Sequence, residues 1–303
     1  MSFAQLLGDL PLEKFLEDFY LRQPYSRPGG AMHLRELATW ETVRCILASP
    51  TCDSRDKPEV DLLLARQGRL WDGTGQPSFE EIRRLHQDGY TVVIRHAERH
   101  DARLAELASG FQREFLAPVD VQLYCTPENQ FGFGWHYDPE DVFIVQAAGS
   151  KEYSLRKNTV NPWPVVEALP ADMRFEREMM PVMKCRLDAG DWLYIPAGYW
   201  HMGQSQEAAI SMAIGVMSTT ALDVLDFLRQ QLVDSLLWRQ RLKPDGLRAA
   251  DASDGADASD GALEHLGAVF ADLAEDLRRR LTDEGTIRVF VNKRRRAFAP
   301  EKS

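Results

Sequence analysis

From Val119 onward the chain is a succession of short β-rich runs, VDVQLYC, FGFGWHYD, DVFIVQA, KEYSLRK, VMKCRLD, DWLYI, YWHMGQ and AISMAIGVM, punctuated by glycine and proline. Many short strands separated by turn signals suggest a sandwich or a barrel. The texture on either side is different. Residues 11–21, 33–48, 79–87 and 101–116 carry apolar side chains at helical spacing; the third of these is entered through Ser78 with Glu81 three residues on, a capping box. YTVVIR (90–95) reads as one early strand. After the β-rich stretch a helical pattern resumes over 219–242, followed by ADASDGADASDGA (250–262), whose Asp, Ser, Gly and Ala have too little apolar surface to pack and predict a flexible linker. A helix over 263–282 and a short strand, TIRVFV, complete the pattern. The expected plan is a helical region with the first strand or strands over 1–116, a β core over 117–217, a helical extension over 218–242, a linker over 243–262 and a helix-strand appendage over 263–303.

Bulk properties narrow the function classes. A 303-residue chain that is 44% hydrophobic and 27% charged is globular in composition, and no apolar run approaches the ~20 residues of a membrane-spanning helix. The first residues, MSFAQLLGDLPLEKF, lack a basic stretch followed by an apolar core, and Cys45, Cys52, Cys125 and Cys185 have no CxxC spacing; together these predict a cytoplasmic protein with reduced thiols. The net charge of -10 disfavours direct nucleic-acid binding and suits a basic peptide or protein partner. Two basic clusters, Arg278 to Arg280 and Lys293 to Arg296, run against that balance and read first as solvated helix or strand faces.

The chemistry is concentrated in two phrases. In an extended FGFGWHYD, Phe131, Phe133, Trp135 and Tyr137 would point to one face and Gly132, Gly134, His136 and Asp138 to the other. The glycines would then clear the face that bears the histidine and the carboxylate. Alone, HxD fits an ordinary buried strand equally well. The second phrase, GDWLYIPAGYWH, gives a strand, a tight Pro196-Ala197-Gly198 turn and a returning strand that carries His201. Two imidazoles and one carboxylate are the protein ligands of a mononuclear non-haem iron site, occupying one face of the metal and leaving the other open.

The spacing Gly190, Pro196, Gly198, His201 resembles the second motif of the cupin superfamily, and with His136-x-Asp138 it resembles the JmjC branch of the Fe(II)/2-oxoglutarate oxygenases. The stretch LYCTPENQFGFGWHYDPEDVFIVQAAGSKEYSL (123–155) is similar to the core of the ribosomal-oxygenase subgroup. The resemblance implies a mainly β fold, a double-stranded β-helix (cupin or jelly-roll) barrel with helical N- and C-terminal elements. It implies Fe(II), 2-oxoglutarate and O2 as cofactors, with His136, Asp138 and His201 as catalytic metal ligands. Lys151 falls where the family pairs a base with the distal carboxylate of 2-oxoglutarate, and a buried dicarboxylate needs such a counter-ion. Tyr124, Gln122 and Ser211 fall at cosubstrate-pocket positions, Gln122 where relatives often carry asparagine, and Ser205 stands where the general cupin motif has asparagine. Only about 87 residues follow Val216, so the larger C-terminal regions of ribosomal oxygenases are expected to be shortened or absent. The implied reaction is hydroxylation of a protein or peptide side chain, a ribosomal protein among the candidates, with release of succinate and CO2. Hydroxylation of a free amino acid or small metabolite, N-methyl-lysine demethylation, and a metal-binding cupin without oxygenase chemistry remain open. Helices near 220–240 and 263–282 offer surfaces for a homodimer.

Overall fold

A computed structural model of the chain describes residues 3–48, 59–73, 77–170, 179–242 and 258–299. Residues up to Ser218 form one compact unit, and residues 219–299 form a second.

The first unit is built on two antiparallel sheets. The larger has eight strands in the order β1 (Tyr25–Arg27), β9 (Trp192–Ile195), β6 (Asp141–Ala148), β11 (Ala209–Val216), β5 (Val119–Thr126), β4 (Thr91–Arg95), β2 (Asp61–Arg66) and β3 (Arg69–Leu70). The smaller has the order β10 (Trp200–Ser205), β7 (Lys151–Arg156) and β8 (Met183–Leu187). Interleaving of β5 to β11 between the two sheets is the jelly-roll arrangement that the short, turn-bounded runs call for.

Strand alternation sorts the side chains between two environments. On β5, Val121, Leu123 and Cys125 face one layer, and on β11 Ile210, Met212, Ile214 and Val216 join them. The intervening Gln122, Tyr124, Thr126, Ser211, Ala213 and Gly215 line a cavity on the other face. The apolar face is covered by α1 (Phe3–Leu7), α2 (Leu12–Asp18), a 3-10 turn at Met32–Leu37, α3 (Trp40–Ala48), α4 (Phe79–Gln87) and α5 (Ala102–Phe115). Phe3 is fully buried, its ring 5.1 to 6.2 Å from those of Phe15, Phe111, Phe115, Phe143 and Trp192. The capping box at Ser78 is present, with each partner bonding the other's backbone N–H.

Three elements differ from the sequence expectation. FGFGWHYD is not a strand: it meets β10 by a single bridge, His136 to His201, and the residue just before it, Gln130, accepts from the Ser205 N–H. Six residue steps separate Gln130 from His136 where four separate His201 from Ser205, so the intervening segment must bow out of register. The bowed segment is held by a hairpin that the sequence did not announce. Gln67 and Gly68, both at positive φ in the two-residue turn between β2 and β3, donate their N–H groups to Phe131 O and Gly132 O.

The third difference lies in the second unit, which contains α6 (Ala221–Leu232), α7 (Leu236–Arg239), α8 (Ala258–Thr282) and α9 (Glu284–Ala297). TIRVFV is helical, inside α9, because Asp283 caps the helix by accepting from the Thr286 N–H and Phe290 packs on Phe227 at 5.2 Å. The cap and that contact outweigh the strand preference of its β-branched residues. Helix α8 begins at Ala258, inside the expected linker, and residues 243–257 of that linker lie outside the described residues. No helix among the described residues is long and apolar enough to cross a membrane.

Candidate metal centre

The cavity of the first unit has a volume of about 360 Å³ and opens between the two sheets. His136, Asp138 and His201 meet on its wall, with one ligand atom of each within 4.8 Å of the others. Backbone geometry produces this meeting: His136 and His201 exchange both N–H to carbonyl bonds, at 3.1 and 2.8 Å, so their side chains emerge side by side with ring centroids 4.2 Å apart. Asp138 is set by the Pro196-Ala197-Gly198 turn, whose Gly198 N–H donates to Asp138 O at 2.8 Å. Gly198 has φ +79°, and a Cβ there would lie 2.8 Å from Pro162 O, so only glycine fits.

Both imidazoles present the same nitrogen. Nδ1 of His136 lies 2.8 Å from Gly134 O and Nδ1 of His201 lies 3.0 Å from Tyr199 O, contacts that place the ring proton on Nδ1. The Nε2 lone pairs then face Asp138 Oδ2, at 3.9 and 3.4 Å. Fixing one ring nitrogen through a backbone carbonyl is the usual way a protein orients a metal-binding histidine. Burial, with the adjacent His136 ring, lowers the His201 pKa to about 4, so the ring is neutral and able to ligate near pH 7. The donor set, two neutral imidazoles and a carboxylate on one side of an open cavity, fits a divalent transition metal with vacant positions. His201 is buried, whereas the side chains of His136 and Asp138 are 31 and 37% exposed, so the centre is enclosed on one side and approachable on the other.

One end of the cavity is cationic. Lys151 is 5% exposed, donates from Nζ to Ser211 Oγ at 2.9 Å and sits 5.6 Å from the Tyr124 ring. Burial lowers its pKa to about 8, and no carboxylate among the described residues forms an ion pair with it. Tyr153 lies beside it in the lining, with its hydroxyl pKa raised by burial. Tyr124 is half-buried, its hydroxyl pKa raised by desolvation and its O–H donating to Gln122 Oε1 at 2.8 Å. Gln122 in turn donates to Asp120 Oδ2 at 3.0 Å. Thus Lys151, Tyr124, Gln122 and Ser211 line one cavity with the triad.

Away from Lys151 the lining holds Glu140 and Arg95, with Asp120 behind them, a grouping not anticipated from sequence. A Cβ on Gly215 would lie 2.3 Å from Glu140 Oε2 and 2.4 Å from Asp120 Oδ1, so the two carboxyl groups converge over a glycine that has no side chain. Burial and the nearby Asp120 and Asp138 charges raise the Glu140 pKa to about 8, and burial raises that of Asp120. Phe133 also lines the cavity, its ring 6.0 Å from His136, where strict alternation would have turned it away. Tyr137 does turn away, packing on Trp200 at 4.7 Å and accepting from Asn161 Nδ2. The only sequence signal for the grouping around Glu140 is the i, i+2 spacing of Asp138 and Glu140.

Comparison with known proteins identifies the arrangement. The family model described as the JmjC domain matches residues 93–224. Residues 93–224 are thus similar to a JmjC domain. Among its relatives, the bifunctional lysine-specific demethylase and histidyl-hydroxylase NO66 of Dictyostelium discoideum is 32% identical over 149 residues, covering 48% of this chain and 28% of that protein. Ribosomal oxygenase 1 of Gallus gallus is 26% identical over 226 residues, covering 71% of this chain and 36% of that one. The chain therefore spans little more than a third, or less, of these curated relatives. The crystal structure of Escherichia coli ycfD has the same fold, with a TM-score of 0.52 at 18% identity over 88% of this chain and 68% of the other. The first unit is mainly antiparallel β with flanking helices, the cupin arrangement expected from the two motifs.

Proposed function

We propose that this protein is an Fe(II)- and 2-oxoglutarate-dependent oxygenase that hydroxylates a side chain of a protein substrate. The observation that carries the reading is the pairing, within one cavity, of the His136, Asp138 and His201 donors with a buried ammonium, Lys151, that has no anionic partner among the described residues. A cosubstrate with two carboxylates, one toward the metal and one toward Lys151, answers both requirements.

Each residue's part follows from its contacts. His136 and His201 would hold Fe(II) through Nε2, each kept in that tautomer by a backbone carbonyl, and Asp138 would supply the anionic ligand. Bound Fe(II) supplies the O2 chemistry that turns 2-oxoglutarate into succinate and CO2 and places one oxygen atom on an unactivated C–H bond. Lys151 would neutralise the distal carboxylate, with Ser211 orienting its ammonium and the Tyr124 ring covering it. Burial of Lys151 and His201 keeps water from that half of the cavity, while the exposed flank of His136 and Asp138 leaves an approach for the substrate. The protein's task is positioning; no protein nucleophile is required.

The names of the relatives support the choice of substrate class. NO66 is named as a demethylase and histidyl-hydroxylase, two others are named ribosomal oxygenases, and an Escherichia coli YcfD ribosomal oxygenase structure, TM-score 0.50, contains cobalt and 2-oxoglutarate. We infer a protein side chain, and within that class a ribosomal protein. The test is mass spectrometry of ribosomal fractions from cells with and without the gene. One added oxygen on a ribosomal peptide, reproduced by the purified protein with Fe(II) and 2-oxoglutarate, is the expected result. Loss of methyl groups, or oxygen appearing only on a metabolite, would replace the reading with demethylation or small-molecule hydroxylation.

A further inference from the structure

Asp141, the first residue of β6, is fully buried and carries more of the site's architecture than its place outside the cavity suggests. Its Oδ1 accepts from the Tyr194 hydroxyl at 2.5 Å and from the Ala197 N–H at 3.3 Å. Its Oδ2 accepts from Ser218 Oγ at 2.6 Å, and Ser218 is bonded in turn to the Tyr20 hydroxyl at 2.5 Å. Tyr194 also accepts the Leu21 N–H at 2.8 Å. One carboxylate therefore joins the chain segment after α2, strand β9, the second residue after β11 and the turn that precedes β10. Burial raises its pKa, the three bonds oppose that rise, and no Lys, Arg or His among the described residues pairs with it. A buried carboxyl group is costly unless bonded, and the network meets that cost at several points.

The placement of the Ala197 contact gives the network a role in the metal centre. Ala197 belongs to the Pro196-Ala197-Gly198 turn, closed by Tyr199 N–H to Pro196 O at 3.1 Å. The next residue, Gly198, holds the Asp138 carbonyl, and His201 follows three residues later. Asp141 itself lies three residues after Asp138. The two chain segments that bring Asp138 and His201 together are therefore tied at one end by the His136 to His201 bridge and at the other by Asp141. We propose that Asp141 is a positioning residue for the metal centre: its carboxylate clamps the turn before β10 to the start of β6 and so sets the spacing between Asp138 and His201. This role rests on the metal reading given above. Nothing in it requires Asp141 to touch metal, cosubstrate or substrate. It also gives the segment around Tyr20 and Leu21 a purpose besides covering the core, since that segment braces the two hydroxyl groups that hold the carboxylate.

The test is Co(II) binding, read from visible absorption and calorimetry with the full chain, alongside far-UV circular dichroism. Asp141→Ala is expected to fold at the assay temperature and to bind Co(II) about tenfold more weakly, the lower end of what loss of an outer contact costs a metal site. Asp141→Asn keeps the oxygen that accepts from Tyr194 and Ala197, and is expected to restore affinity to within about threefold, the residual effect of a weaker neutral acceptor. Ala197→Pro replaces the N–H donor by the ring Cδ, which pushes the Asp141 carboxylate off the turn, at a turn position that tolerates proline; it is expected to weaken Co(II) at least as much as Asp141→Ala does and serves as the deciding variant if Asp141→Ala fails to fold. Unchanged Co(II) affinity in folded Asp141→Ala or in Ala197→Pro would overturn the positioning role while leaving the metal reading intact. A parent protein that binds no Co(II) would overturn both.

Discussion

The side chains of His136 and Asp138 are 31 and 37% exposed, so replacing them should cost function far more than stability. His136→Ala and Asp138→Ala are each expected to abolish divalent-metal binding and turnover while shifting the melting temperature by only a few degrees. Metal titration with parallel thermal unfolding checks this, and retained turnover in either variant would count against the triad. Lys151 carries a pH dependence whose sign is fixed by its environment. Its pKa is lowered to about 8, so the ammonium is present below that pH and lost above it. A carboxylate needs the ammonium; affinity for 2-oxoglutarate should therefore be steady below pH 7 and fall as pH rises through about 8. Lys151→Met should weaken 2-oxoglutarate binding by roughly a hundredfold, the ~2–3 kcal/mol of a buried charged contact, and flatten the pH profile in calorimetric titrations. These residues were legible in the sequence because the chemistry dictates their type: imidazole and carboxylate for a metal, ammonium for a distal carboxylate. Glu140, Asp120 and Asp141 were not, because their roles arise from what converges on them from distant strands, and an Asp or Glu in a strand has no type-specific signature.

At the level of elements, the turn before β10 is the most sensitive piece of backbone. Gly198→Ala would place a side chain at φ +79° and within 2.8 Å of Pro162 O, so it should destabilise the first unit by about 1–3 kcal/mol and weaken metal binding together, measurable by urea denaturation and Co(II) titration. Wild-type stability in that variant would mean that the turn can relax without disturbing the centre. Most strands were readable because their alternation matched burial on both sides, as on β5 and β11, where apolar and cavity-lining residues take strict turns. FGFGWHYD defeated the same reasoning. Its glycines and aromatics imitate a strand, but its anchoring at Gln130 and His136 to Ser205 and His201 leaves two surplus residues, and register is a property of the pair, not of either segment. The hairpin of β2 and β3 that holds it was unread because its turn, Gln67-Gly68, is not among the strong hairpin dipeptides.

For the molecule as a whole, the helices before β5 do more than decorate the barrel: Phe3 touches rings from α2, α5, β6 and β9. Phe3→Ala should lower the unfolding free energy of the first unit by roughly 3–5 kcal/mol, whereas Leu16→Ala, on the exposed side of α2, should stay within about 0.5 kcal/mol. Equal effects in chemical denaturation would show that the N-terminal helices are not part of the cooperative core. The barrel, its helical cover and the cavity together make the claim that a metal and a dicarboxylate share one site. Anaerobic addition of 2-oxoglutarate to the Fe(II)-loaded protein measures this directly. The proposed chemistry predicts a weak visible charge-transfer band that saturates with one equivalent of cosubstrate, is absent in His136→Ala, and requires far more 2-oxoglutarate in Lys151→Met. Fe(II) binding with no such band at any 2-oxoglutarate concentration would contradict it, and would leave a metal-binding barrel without oxygenase chemistry.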